Sequence, residues 1–98
     1  MSVLRATTTA KVLGTHNSWR IARTELDQQG APLCTVRLTI EGSPRSGFHL
    51  IKDPDGFFTA DDWFLTQREA MEAALQDFGV REGEWSAGVY ESEGGTEA

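Results

Sequence analysis

The chain has 98 residues, of which 39% are hydrophobic and 24% charged, and its formal net charge is −6. This composition is typical of one soluble globular domain and excludes a disordered or collagen-like chain. No apolar run approaches the roughly 18 residues that a membrane helix requires, and the single cysteine, Cys34, excludes an internal disulfide.

The first residues, MSVLRATTTAKVLG, lack the continuous apolar core of a secretory signal, so we expect a cytoplasmic protein. Charge is distributed unevenly along the chain. Residues 1–52 carry seven basic and three acidic side chains, whereas residues 53–98 carry two basic and twelve acidic ones. This asymmetry indicates either a solvated helix face with an acidic tail or an acidic surface that meets a basic partner.

The N-terminal third is the hardest part of the chain to interpret. Alternation over residues 7–13 favours an extra strand, but residues 1–17 could equally form a loose arm. Residues 19–26 are rich in aromatic and β-branched side chains and predict the first firm strand. Residues 27–30 then predict a hairpin loop, in which Gly30 can adopt a positive φ.

Residues 33–41 show the clearest strand pattern, because apolar and polar side chains alternate strictly. One face of this strand is predicted to be core and the other wet, as in an antiparallel sheet covered by one helical layer. We expect a flexible loop at 42–47, a strand at 48–52, a turn at 53–56 and a short strand at 57–60. Residues 85–90 predict a last strand or a segment lying across the sheet, and residues 91–98 a disordered acidic tail.

Residues 61–85 contain one capped amphipathic helix between two tryptophans. Thr66 and Glu69 have the spacing of a capping box, and Gly79 supplies a left-handed stop. The apolar residues between them recur at helical spacing and predict one buried stripe: Ala70, Met71, Ala74, Leu75 and Phe78.

The same region resembles a small uncharacterised bacterial family. The shared pattern is Asp61-x-Trp63, then Thr66-x-x-Glu69-Ala70, then Phe-Gly-Val at 78–80 and a closing Trp85. The resemblance covers about the last third of the chain and implies the fold and a bacterial source, but it transfers no site. Asp62 and Phe64 depart from the Thr and His that are commoner in the family, so any role of that histidine is absent here.

The sequence offers little site chemistry, and we predict neither an enzyme nor a bound cofactor or metal. His16, His49 and Cys34 have no metal-ligand spacing, and Asp53 begins a turn rather than a calcium loop. Cys34 lies on the predicted core face, which favours a small buried hydrophobe over a nucleophile. Strand parity does not favour a Cys34–His49 pair. The adjacent carboxylates of Asp61 and Asp62 point in different directions, which fits roles at the start of the helix better than acid–base catalysis.

Nucleic-acid binding is the alternative function that the sequence suggests. Five basic residues come from the strand half, and with Trp19 they could stack on and neutralise RNA across an open sheet face: Arg20, Arg23, Arg37, Arg45 and Lys52. Against this stand an isoelectric point near 4.7 and the acidic C-terminal half.

We therefore predict an α+β domain over residues 1–90, with three to five antiparallel strands and one helix on a single face, in the order (β)-β-β-β-(β)-α-(β). Its predicted function is a non-enzymatic protein-interaction or regulatory module, and a homodimer through a sheet edge is a further alternative. Trp63 and Trp85 are expected to pack at the helix ends or to act as interface residues. The candidate partner-binding residues are Arg20, Arg37, Thr39, Arg45, Glu72 and Asp77. The predicted core consists of Trp19, Ile21, Val36, Leu38, Ile40, Phe48, Leu50, Trp63, Met71, Ala74, Leu75, Phe78 and Trp85.

Overall fold

The computed structural model of the chain describes residues 2–88, so the predicted tail at 91–98 lies outside the described residues. The elements are β1 (Ser2–Thr15), β2 (Ser18–Ile21), α1 (Glu25–Gly30), β3 (Leu33–Ser43), β4 (Gly47–Pro54), β5 (Ala60–Phe64), α2 (Gln67–Phe78), a 3₁₀ turn (Glu82–Glu84) and β6 (Ser86–Gly88). No helix within the described residues is long and apolar enough to cross a membrane.

The strands form one curled antiparallel sheet in the order β2-β1-β3-β4-β5, and β6 pairs with the N-terminal end of β1. Helix α2 packs against one face of this sheet, which confirms the predicted α+β class. We call the face opposite α2 the open face.

The N-terminal segment is a strand rather than a loose arm. β1 spans 14 residues and pairs with β3 on one side and with β2 and β6 on the other, which makes it an interior strand of the sheet. Its Thr-rich sequence suits a half-wet strand, since β-branched side chains pack well on a pleated surface.

The core lies between the sheet and α2. Val36, Leu38 and Ile40 of β3 are buried on alternate positions, as predicted, and they pack with Leu50 of β4 and Ala74 of α2. Three more expected core residues, Ile21, Met71 and Trp85, are partly buried against this cluster. Several other buried residues were not among the expected core residues: Val3, Ala6, Val12, Ala22 and Val80. Ala70, which belongs to the predicted helical stripe, is buried as well.

Two residues of the predicted core, Trp63 and Leu75, are exposed, so their prediction as core residues is wrong. The exposed fraction of Trp63 is 53% and that of Leu75 is 49%. Trp63 is a strand residue whose side chain lies on the open face, and Leu75 lies at the outer border of the helical stripe.

The predicted strand at 19–26 and hairpin loop at 27–30 are also wrong in part. β2 ends at Ile21, and Leu26 and the supposed loop residues form helix α1. The cause is a local capping signal, because the Thr24 hydroxyl accepts a hydrogen bond from the Asp27 amide at 3.0 Å and acidic residues occupy the first turn.

The last hairpin is shifted along the chain from its predicted position. β4 continues to Pro54, and β5 begins at Ala60 instead of lying over residues 57–60. Asp61 and Asp62 are therefore strand residues, and the predicted role at the helix start is wrong. Helix α2 begins after them, and its N-cap is Thr66.

The predicted ends of α2 are confirmed at Thr66 and Gly79, but the reciprocal bond of the predicted capping box goes to the residue before the cap. The Thr66 hydroxyl accepts a hydrogen bond from the Glu69 amide at 3.1 Å, and the Glu69 carboxylate accepts one from the Leu65 amide at 3.2 Å. Gly79 ends the helix in the left-handed conformation, with its amide donating to Leu75 and that of Val80 to Ala74.

Candidate functional site

Arg37 is the centre of the charged network on the open face. Its guanidinium binds the carboxylates of Asp53, at 3.5 Å, and Asp55. Thr59 donates a hydrogen bond to Asp53 at 3.1 Å. These contacts raise the pKa of Arg37, chiefly through the bond to Asp55. The network holds the turn between β4 and β5 and leaves Arg37 largely neutralised.

Two of the other basic candidates, Arg20 and Arg23, are also partnered. Arg20 binds Asp27 of α1 at 3.0 Å, and this hydrogen bond is the main reason that the pKa of Asp27 lies below its usual range. Arg23 binds Asp77 of α2 at 2.8 Å. These arginines thus already form ion pairs with carboxylates, which makes their charge less available to a phosphate backbone.

The structure does not bring the six predicted partner-binding residues into one surface. Arg37 and Thr39 lie on the open face, Arg45 is in the turn between β3 and β4, and Arg20 is on β2 beside α1. Glu72 and Asp77 lie on different sides of α2. Glu72 borders a groove of about 340 Å³ between α2 and the 3₁₀ turn, together with Met71, Leu75 and Val80, whereas Asp77 pairs with Arg23.

β5 carries a cluster that the sequence analysis did not recognise. Its two carboxylates form cross-strand pairs with β4, since Asp61 binds His49 Nδ1 at 2.9 Å and Asp62 binds Lys52 Nζ at 2.7 Å. Both carboxylates remain more than half exposed. These cross-strand pairs explain how two aspartates, poor strand formers on their own, occupy a strand.

Trp63 follows these two aspartates in β5, and its side chain is exposed but held in place. Its indole N–H donates to the carbonyl of Ser46 at 3.1 Å, and its ring lies against Gly47. A Cβ at residue 47 would come within 2.3 Å of the ring, so only glycine admits this position. The hairpin between β3 and β4 therefore fixes a large aromatic side chain at the surface. Of the two roles predicted for Trp63, packing at a helix end is excluded.

Cys34 and His49 lie apart in the described part of the chain. Burial raises the pKa of the Cys34 thiol, with a smaller effect of Asp55. Cys34 pairs with Ala10 and His49 with Glu41, so the two residues lie at different ends and on different faces of the sheet. Within residues 2–88, no three His, Cys, Asp or Glu side chains are grouped so that they could hold a metal ion.

Comparisons with protein-family models, with curated proteins and with solved structures found no match to this chain.

Proposed function

We propose that the protein is a non-enzymatic, cytoplasmic bacterial module that binds another protein, and that Trp63 is the centre of its binding surface. The observation that carries the proposal is the combination of exposure and fixation at this residue. Trp63 is 53% exposed, yet it is held by a hydrogen bond to Ser46 and by the backbone of Gly47.

A fixed aromatic side chain is well suited to binding. Tryptophan is enriched among the residues that dominate interface energies, and it contributes a large apolar area. A side chain that is already ordered loses little conformational entropy when the partner binds, and this loss otherwise opposes association by roughly 0.5–1.5 kcal/mol for each such side chain. The net charge of −6 and the exposed carboxylate of Asp61, which lies on the same face as Trp63, favour a partner with a basic surface.

The ion pairs of the arginines favour protein over nucleic acid as the partner. Arg20, Arg23 and Arg37 are each bound to a carboxylate, and the net charge of −6 repels a phosphate backbone.

The test is a comparative pull-down of tagged protein from a lysate of the native host, with and without nuclease. We expect a dominant protein partner that survives nuclease and that Trp63→Ala no longer retains. Leu26→Ala is the matched control, because Leu26 is 77% exposed but lies on α1, away from β5.

Two results would contradict the proposal. One is equal retention of the partner by Trp63→Ala and by the unaltered protein. The other is a set of captured molecules that disappears with nuclease, which would favour the nucleic-acid alternative. Thermal unfolding of each variant establishes that a loss of capture is not a loss of fold.

A further inference from the structure

β5 lies at one edge of the sheet, and within the described residues it pairs only with β4. Main-chain groups on the outer side of such a strand are unpaired and can accept a further strand. The register of the sheet determines the direction in which the main-chain N–H and C=O groups of each β5 residue point.

The Asp55 amide donates to the carbonyl of Thr35 at 2.9 Å. The main-chain N–H and C=O groups of the odd-numbered residues of β4 therefore point towards β3. Even-numbered residues of β4 then point towards β5, because hydrogen-bonding groups alternate sides along an antiparallel strand. Leu50 pairs with Asp62, so the main-chain groups of Asp62 point towards β4. The main-chain groups of Asp61 and Trp63 point away from the sheet. The next outward amide, that of Leu65, is bound by Glu69, which limits the free edge to these two residues.

The edge therefore offers the amide and carbonyl groups of Asp61 and Trp63, beside the fixed indole. The side chains of Asp61 and Asp62 flank this edge on opposite faces of the sheet. A strand added here would place its side chains next to one carboxylate on each face. Opposite charges on adjacent strands stabilise such a pairing, and like charges destabilise it.

A second copy of the chain fits this edge poorly. An antiparallel two-fold pairing that uses both outward residues places Asp62 opposite Asp62 of the second copy. Two carboxylates facing each other oppose the contact, so the predicted homodimer is disfavoured at β5.

We propose that the free edge of β5 binds an extended, basic segment of a partner protein as an additional antiparallel or parallel strand. This inference rests on the proposed function and specifies its binding mode. Main-chain hydrogen bonds to Asp61 and Trp63 supply the affinity, and the two carboxylates select lysine or arginine on the incoming strand.

The proposal can be tested with a short peptide of alternating lysine and valine, and with a matched peptide in which glutamate replaces lysine. We expect the lysine peptide to bind about ten-fold or more tightly than the glutamate peptide, and its binding to slow hydrogen exchange at the amides of Asp61 and Trp63. No binding of the lysine peptide, or unchanged exchange at both amides, would overturn the proposal.

Asp61→Pro separates main-chain pairing from charge. It removes an outward amide without breaking the ladder to β4, whereas Asp61→Asn removes only the charge. We expect Asp61→Pro to bind the lysine peptide about ten-fold more weakly than Asp61→Asn does, which corresponds to the loss of roughly one hydrogen bond. Equal affinities would contradict strand addition.

A second pair of peptides keeps the test independent of the fold of Asp61→Pro. Methylation of alternate amides in one peptide and of every amide in the other separates the two registers in which the peptide can pair. We expect the first peptide still to bind, through its unmethylated parity, and the second not to bind, and undiminished binding of the fully methylated peptide would overturn the proposal.

The pull-down then separates this inference from the proposed function. Capture lost in Trp63→Ala but kept in Asp61→Pro would overturn strand addition and leave the proposed function standing. Capture kept in both variants would overturn both, and capture lost in both supports both.

Discussion

At the residue scale, the half-buried thiol of Cys34 lies on the inner face of β3. Burial raises its pKa, and the charge of Asp55 adds to this effect. Because the folded pKa exceeds the unfolded one, the group stabilises the fold below the unfolded pKa, and this contribution is lost as pH rises through the folded pKa. We expect the thiol to react with iodoacetamide more slowly than in urea, with a pH midpoint shifted upwards relative to the denatured chain.

Asp55→Asn should move this midpoint part of the way back, because it removes the smaller of the two causes. Asp62→Asn is the control, since Asp62 is not among the groups that perturb the thiol, and it should leave the midpoint unchanged. A midpoint at or below that of the denatured chain would contradict the burial of Cys34.

The role of Trp63 was not predictable from its own neighbourhood in the sequence. Its contacts are with Ser46 and Gly47, and the hydrogen bond to Ser46 spans 17 residues of the chain. In the sequence Trp63 stands just before the capping signals of α2, which suggested packing at the helix end, although it belongs to β5. Only the pairing of β4 with β5 establishes which surface it occupies.

At the element scale, the end of α2 depends on the backbone of Gly79. This residue has a φ of +71°, and a Cβ there would meet no atom within 4 Å, so the only cost of a side chain is conformational. We expect Gly79→Ala to lower the free energy of unfolding by about 1–2 kcal/mol, the cost of a left-handed non-glycine residue. Chemical denaturation followed by circular dichroism measures this change.

Gly83→Ala is the matched control, because Gly83 also has open space around its Cβ position but no positive φ. We expect its effect to stay within about 0.5 kcal/mol, as for most surface substitutions. Equal effects of the two alanines would show that the left-handed conformation does not end the helix.

The elements differ in how far the sequence predicted them, and the reasons are local. α2 and β3 were predicted because capping residues and strict alternation are encoded within a few positions. α1 also had a local signal, Thr24 with Asp27 three residues later, which the aromatic and β-branched residues before it obscured. β5 had none, because aspartates are uncommon in strands and the residues that pair with them, His49 and Lys52 of β4, are distant in the sequence.

At the scale of the whole molecule, the curl of the sheet brings the turn between β1 and β2 against the loop between β4 and β5. The Phe58 amide donates to the carbonyl of His16 at 3.0 Å, and the Trp19 indole donates to the carbonyl of Phe58 at 2.9 Å. Lys52 lies 6.0 Å from the centre of the Trp19 ring, at the distance of a cation–π contact. These groups are far apart in sequence, so no local pattern predicts their contact.

Alanine substitutions of Trp19 and Trp63 should consequently separate effects on stability from effects on partner binding. Trp19 joins two distant parts of the sheet, and we expect Trp19→Ala to lower the free energy of unfolding by about 2–4 kcal/mol, near the lower range for buried aromatic residues because Trp19 is half-buried. Trp63→Ala, at a more exposed site, should cost about 1 kcal/mol or less while removing partner capture. Urea denaturation followed by far-ultraviolet circular dichroism gives both values without depending on tryptophan fluorescence. A larger loss of stability from Trp63→Ala than from Trp19→Ala would mean that Trp63 supports the fold, and a loss of capture in that variant would then no longer indicate binding through Trp63.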